Sequence, residues 1–275
     1  MIPCGSIKFD RSGPNKVGPF VRALLHGIAK SLPVPPIILC AEETPTYLCL
    51  PRGCETDVME LFDGAGVKTE RMDHTCTGKI INVAFKGSMR EEQIPAAEEM
   101  LKYDSGVLSA TTAFGKTVIA AKLIAERKTN TLILTHRRQL LSHWTAKLSE
   151  FLDIDEMLPA LEKKKGRKRK KNLIGQIGAG KSRPSGIIDV AIMQSLIRSD
   201  EVKELTKHYG MVIVDECHHV PAFSFEQILK SIHAKTVYGL TATPTRQDGH
   251  HRRPHPPGGL RESVADGAAL SGIQG

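Results

Sequence analysis

The sequence predicts an α/β domain with a parallel sheet flanked by helices, plus a small N-terminal α+β module. Three observations predict it. From about residue 89 onward, short continuous apolar runs alternate with amphipathic stretches, the pattern of strands buried on both faces and joined by helical crossovers. The stretch ATTAFGKT (Ala110 to Thr117) lies between one such run and a helical stretch without a breaker. Another run, MVIVDE, ends in two adjacent carboxylates, Asp215 and Glu216.

Residues 1–88 read as the accessory module. PNKVGPFVRALLHGIAKSL fits an amphipathic helix, and PPIILCAEE and TYLCLPRG fit short apolar strands bounded by Pro and Gly. CETDVMELFDGAG reads as a helix closed by glycine, and VKTERMDH and KIINVAF as two further strands. Nothing in this stretch carries chemistry by itself. Residues 89–249 form the main domain. GVLSA is a strand and KTVIAAKLIAERK the helix after it; TNTLILTH is a strand and RRQLLSHWTAKLSEFL an amphipathic helix. IIDVAIM, MVIVDE and KTVYGLTAT are further strands, separated by helices at QSLIRSDEVKELTKHY and SFEQILKSI. Right-handed crossovers are expected between the parallel strands. After Gly249 the apolar periodicity stops, and residues 250–275, rich in Pro, Gly and Arg, read as a disordered tail.

Composition narrows the class. The chain has 275 residues, 40% of them hydrophobic and 25% charged, as in ordinary globular proteins. No apolar run approaches the ~18–20 residues that span a bilayer, and MIPCGSIKFD lacks the layout of a secretory leader. The expectation is a cytoplasmic protein without a membrane partner. The six cysteines include no CxxC pair, which disfavours zinc, and their spacing in a chain of this size disfavours a disulfide framework. A net charge of +8 favours a polyanionic partner. Part of that excess sits in KKKGRKRKK (Lys163 to Lys171), which reads either as a solvated loop or as a phosphate-backbone contact.

Two stretches compete as a phosphate-binding loop. GQIGAGKS (Gly175 to Ser182) matches G-x-x-x-x-G-K-[ST] at every fixed position, whereas ATTAFGKT has alanine where the first glycine belongs. The chemistry needs a strand before the loop and a helix after it. Backbone N–H groups then turn to the phosphates at the helix's positive end. GQIGAGKS fails on the far side: Pro184 disfavours helix at Arg183, Gly186 weakens it further, and too few residues remain before the next strand for a crossover. It reads as a strand or hairpin edge. ATTAFGKT has its strand and its helix, with Gly115 at the tight spot before Lys116.

Asp215 and Glu216 end a strand where ligands bind in parallel sheets. One acid suits a metal held on a nucleotide, the other the attacking water. With ATTAFGKT, DECH (Asp215 to His218) and TAT (Thr241 to Thr243), the chain resembles the first RecA-like domain of a superfamily 2 helicase of the DEAD/DEAH kind. LILTHRRQLLSHW and AIMQSL match its nucleic-acid-contacting segments, and MREEQIPAAEEML matches its glutamine-containing first helix. The wording of the motifs resembles bacterial restriction and conflict-system helicases.

The resemblance implies a RecA-like P-loop fold and nucleic-acid-dependent ATP hydrolysis with ATP and Mg2+, DNA being favoured over RNA as the partner. It implies that Thr112, Ala113, Phe114, Gly115, Lys116 and Thr117 bind the nucleotide, with Gln93 near the adenine. Lys116 would meet the β/γ-phosphates, Thr117 and Asp215 would hold Mg2+, and Glu216 would position the hydrolytic water. His218, Thr241 and Thr243 would couple nucleotide state to nucleic acid, and Arg137 and Arg138 would touch its backbone. Bland readings stand beside these: a buried histidine at 218, strand-ending threonines, a solvated Gln93 and an exposed helix start at Arg137 and Arg138. Trp144, at helical spacing from Leu140 and Leu141, reads as core. Family members use a second RecA-like domain. The expectation is that it is missing here, through truncation or a shifted frame after Gly249, or is supplied by a partner such as a nuclease subunit. The alternative function is a module that binds ATP and nucleic acid with little turnover.

Overall fold

The computed structural model describes residues 6–10, 42–43, 47–51, 55–64, 73, 75–156, 173–178, 180–198, 204–217, 232–242 and 262–264. In the N-terminal part, β1 (Ser6–Asp10) and β2 (Glu42–Glu43) flank β3 (Tyr47–Pro51) in an antiparallel sheet, and α1 (Glu55–Gly64) follows. TYLCLPRG and CETDVMELFDGAG thus form the expected strand and helix. The helices expected in PNKVGPFVRALLHGIAKSL and SFEQILKSI lie outside the described residues, as does almost all of VKTERMDH.

The main body holds an eight-stranded sheet. Its strands are β5 (Ser105–Ser109), β6 (Thr131–Thr135), β8 (Ile174–Gly178), β9 (Lys181–Arg183), β10 (Ile188–Ile192), β11 (Met211–Asp215), β12 (Thr236–Thr241) and β13 (Glu262–Val264). Their order is β13-β5-β12-β11-β6-β10-β8-β9, parallel throughout except for β9. Helices α2 (Gln93–Leu101), α3 (Lys116–Arg127), α4 (Arg138–Phe151) and the short α5 (Met193–Arg198) complete this body.

Two-sided burial explains the continuous apolar runs. Leu108, Ile133, Val190, Ile213, Tyr238 and Leu240 enter one core with the inner faces of α2, α3 and α4. Their strand neighbours Val107, Leu132, Leu134, Val212, Val214 and Val237 enter a second core with α5 residues Met193 and Leu196. Successive side chains on a strand point to opposite faces, so a strand buried on both sides must be apolar at every step.

Two pairings bear on the expected segments. β4 (Val83–Phe85) pairs antiparallel with β7 (Leu152–Ile154), Ile81 and Val83 join the α2/α3/α4 core, and bridges link Cys76 to Ala234 and Ile80 to Thr129. Residues 76–88 therefore contact the main body, and KIINVAF is short and apolar enough to serve either side. Within the tail expected to be disordered, Glu262–Val264 runs parallel to β5. The outer edge of β5 presents backbone groups that a passing extended segment can satisfy. No helix among the described residues is long and apolar enough to cross a membrane.

Beneath the N-terminal ends of the strands, Asn130 knots four segments. Its Oδ1 accepts from the Lys79 N–H (2.8 Å) and the Gly210 N–H (3.1 Å), and its Nδ2 donates to the His208 carbonyl (3.0 Å) and the Gly186 carbonyl (3.4 Å). Gly210 lies so close to the Thr77 carbonyl that a Cβ would collide with it. Buried amide groups robbed of partners cost about 1–3 kcal/mol each. Asn130→Ala is expected to lower stability by about 2–4 kcal/mol in urea denaturation, whereas Glu150→Ala, which removes an exposed Lys147 pair, should change it by less than about 1 kcal/mol.

Candidate functional site

The register of three strands sets the site. Ser109 of β5 lies opposite Thr241 of β12, and Asp215 of β11 lies opposite Leu240. The chains leaving β5 and β11 therefore emerge at the same edge of the sheet, one strand apart. The Ala110 N–H donates to the Thr241 carbonyl at 3.1 Å, tying the start of the loop to the end of β12.

From Ala110 the chain makes a single 3-10 turn, Thr112–Phe114, and passes through Gly115 at φ 84°, ψ 40° into α3. Only glycine enters that left-handed region without strain, and here a Cβ would also run into Nε2 of Gln93. Lys116 is only 7% exposed. Its Nζ donates to the Ala110 carbonyl (3.1 Å) and the Thr111 carbonyl (3.4 Å), so the ammonium lies in the mouth of the loop. Thr117 sits half-buried in the first turn of α3.

A clamp holds this loop from α2. Gln93 is buried; its Oε1 accepts from the Arg90 N–H (2.9 Å) and its Nε2 donates to the Phe114 carbonyl (2.6 Å). Arg90 adds two donations of its own, to the Ala113 carbonyl (3.1 Å) and the Phe114 carbonyl (2.6 Å). Gln93 is thus no solvated helix residue. Arg90 escaped the sequence reading, although an arginine three positions before the glutamine at a helix start was the signal available.

At the end of β11, Asp215 is 7% exposed, and its Oδ2 accepts from the indole N–H of Trp144 at 2.7 Å. Burial pushes its carboxyl above the usual carboxylate range and neighbouring Glu216 adds to this; the Trp144 hydrogen bond and the charge of Lys116 pull it back. The Lys116 charge therefore reaches Asp215. Glu216, half-buried, adopts φ 51°, a left-handed conformation that costs a non-glycine residue about 1–3 kcal/mol and turns the chain sharply off the strand. Burial pushes the Cys217 thiol up to about 11, and a hydrogen bond with Thr241 draws it partly down. The residue after the acids therefore touches the end of β12. The sequence reading of Trp144 as core holds, since it is 1% exposed, yet it overlooked that a buried indole N–H needs an acceptor.

GQIGAGKS takes the other course. β8 and β9 form an antiparallel hairpin, with Gly178 opposite Lys181 and Gln176 opposite Arg183. Lys181 opens a strand, and no helix follows it. The turn after it is held by Asp189, which accepts from the Ser185 N–H (2.7 Å), the Gly186 N–H (2.7 Å) and the Tyr209 hydroxyl (2.6 Å).

The structure brings Gln93, the loop Thr112–Thr117, Asp215, Glu216 and Thr241 to one sheet edge. Arg137, extended at φ −121°, and Arg138 begin α4 just beyond β6 at the same edge, and both are exposed. His218, Thr243 and the basic run Lys163 to Lys171 lie outside the described residues.

A parallel sheet with a lysine loop after one strand and an acid pair two strands away, in this chain order, is the first RecA-like domain of a superfamily 2 helicase. Residues 86–246 match the family described as Type III restriction enzyme, res subunit, and the chain belongs to that family. It is 28% identical over 166 residues to the DNA 3'-5' translocase XPB2 of Sulfurisphaera tokodaii, covering 60% of this chain and 33% of that protein. It is 28% identical over 192 residues to the probable helicase D10 of Escherichia phage T5, covering 70% of this chain and 38% of the other. The chain thus spans well under two thirds of either relative. Its fold resembles the UvsW helicase of bacteriophage T4, with a TM-score of 0.54 and 19% identity over 78% of each chain.

The two loops make opposite predictions. Lys116→Ala should weaken binding of a fluorescent ATP analogue by about tenfold or more, as expected when a charge-assisted hydrogen bond is removed. Lys181→Ala should leave it within about twofold. The reverse ranking would move the nucleotide to the hairpin.

Proposed function

We propose that this domain binds ATP with Mg2+ in the loop Thr112–Thr117 and hydrolyses it in response to nucleic acid, DNA in preference to RNA, as the ATP-binding part of a cytoplasmic helicase-type motor. The observation that carries the reading is the shared level of the Lys116 loop and the acid pair at one sheet edge. The names of the relatives, a DNA translocase and a phage helicase, support the choice of partner.

Lys116 would exchange its two loop carbonyls for β/γ-phosphate oxygens. The backbone N–H groups from Thr112 to Gly115 and the N-terminal end of α3 favour negative charge at the same place. Thr117 and Asp215 offer hard oxygen donors of the kind Mg2+ prefers, and they fit it: one lies in the first turn of α3 and the other, buried, ends β11. When bound, Mg2+ would supply charge neutralisation on the β- and γ-phosphates. Glu216, swung off the strand by its left-handed turn, would orient the attacking water. Gln93 and Arg90, already fixed on the loop, would face the base. Arg137 and Arg138 would lie along a phosphate backbone, and Thr241, touching Cys217, would carry the state of the acids into β12. Residues 1–88 would act as an accessory module joined to the main body through residues 76–88. A second RecA-like domain, in the same protein or from a partner, would complete the cleft.

Hydrolysis measured with and without single- and double-stranded DNA and RNA tests this. DNA should stimulate it several-fold or more, and Glu216→Gln should cut the stimulated rate by about 10²–10⁴-fold while nucleotide still binds. Hydrolysis that stays at background while ATP and DNA still bind would make the chain a binding module instead. Deleting Lys163 to Lys171 should flatten the salt dependence of DNA binding, the log–log slope falling by about 0.7–0.9 for every phosphate the run had neutralised. An unchanged slope would mean the run takes no part.

A further inference from the structure

The indole N–H is the only polar group of Trp144, and the ring around it lies in the apolar core shared by α2, α3 and α4. The acceptor it finds is Oδ2 of Asp215 at 2.7 Å, a residue 71 positions away on β11. Packing alone asks nothing so specific of a tryptophan: leucines at positions 141 and 148 fill the same face of the helix. We infer that Trp144 is a positioning residue for the metal-binding carboxylate, its N–H fixing Oδ2 so that Asp215 meets Mg2+ in one set orientation. The inference rests on the phosphate-loop reading above.

The physical case is geometric. A buried carboxylate with one oxygen held by a rigid donor loses most of its freedom to rotate, and the donor is rigid because Trp144 is 1% exposed and locked in the core. Partners of this kind, standing behind a metal ligand, typically matter by about 10–100-fold in metal affinity.

The chain contains one tryptophan, which makes the test clean. Tryptophan emission reports on position 144 alone, and growth on benzothienylalanine replaces the N–H with sulfur at residue 144 while keeping the ring's shape. In the native full chain, tryptophan emission should change when Mg2+ is titrated in the presence of ADP and stay unchanged with ADP in EDTA. The Mg2+ concentration that half-saturates binding of a fluorescent ADP analogue should rise about 10–100-fold in the benzothienylalanine protein and in Trp144→Phe. Metal-free ADP affinity should stay within about twofold, and the melting temperature of the benzothienylalanine protein should match the native one. A benzothienylalanine protein with native Mg2+ dependence would overturn the inference, as would native emission blind to Mg2+. Lys116→Ala separates the two levels. If it abolishes nucleotide binding while the isostere behaves as native, only the role of Trp144 falls. If it leaves nucleotide binding intact, the phosphate-loop reading falls and takes this inference with it.

Discussion

The level at which β5, β12 and β11 end is the constraint on which the remaining geometry depends. Parallel strands in register deliver their following loops to one edge of the sheet, and here the pairing of Ser109 with Thr241 and of Asp215 with Leu240 leaves a lysine loop and an acid pair one strand apart. A slip of one residue in either pairing would invert every side chain on the strand between two filled cores. The cores therefore hold the site in place: Leu108 and Leu240 on one face, Val107 and Val237 on the other, make the register the only one that buries both sets.

That arrangement lets charged groups sit in a dry place. Lys116 and Asp215 are each 7% exposed, a situation that costs several kcal/mol per charge unless hydrogen bonds compensate. Lys116 is compensated by loop carbonyls and Asp215 by an indole, and the Lys116 charge also reaches Asp215. Around them the loop is stiffened from outside, since Gln93 and Arg90 together direct three donations to the carbonyls of Ala113 and Phe114. The methyl group that Ala113 carries is accommodated, because the residue is exposed.

Much of this was legible in the sequence, for reasons that can be named. Strands buried on both faces betray themselves as unbroken apolar runs, so β6, β10, β11 and β12 could be read directly. The choice between the two lysine loops followed from Pro184 and Gly186, which oppose a helix where the better-matching pattern needed one. Contacts between side chains distant in sequence were not legible. Periodicity says that Trp144 faces inward, but not that an aspartate 71 residues away lies behind it. The Thr241–Cys217 contact, the Arg90 clamp and the attachment of Val83–Phe85 to Leu152–Ile154 are of the same kind. Each is a decision made by tertiary packing among local choices that the sequence leaves equal.

The hairpin that carries the better consensus shows why a pattern of letters can mislead. Just past its lysine, the amides of Ser185 and Gly186 both point at the carboxylate of Asp189. Such paired amides are what would welcome an incoming acceptor, and the chain supplies one of its own from a few residues further on. The turn that follows the lysine is tied up from inside the chain, and it serves there as a strut.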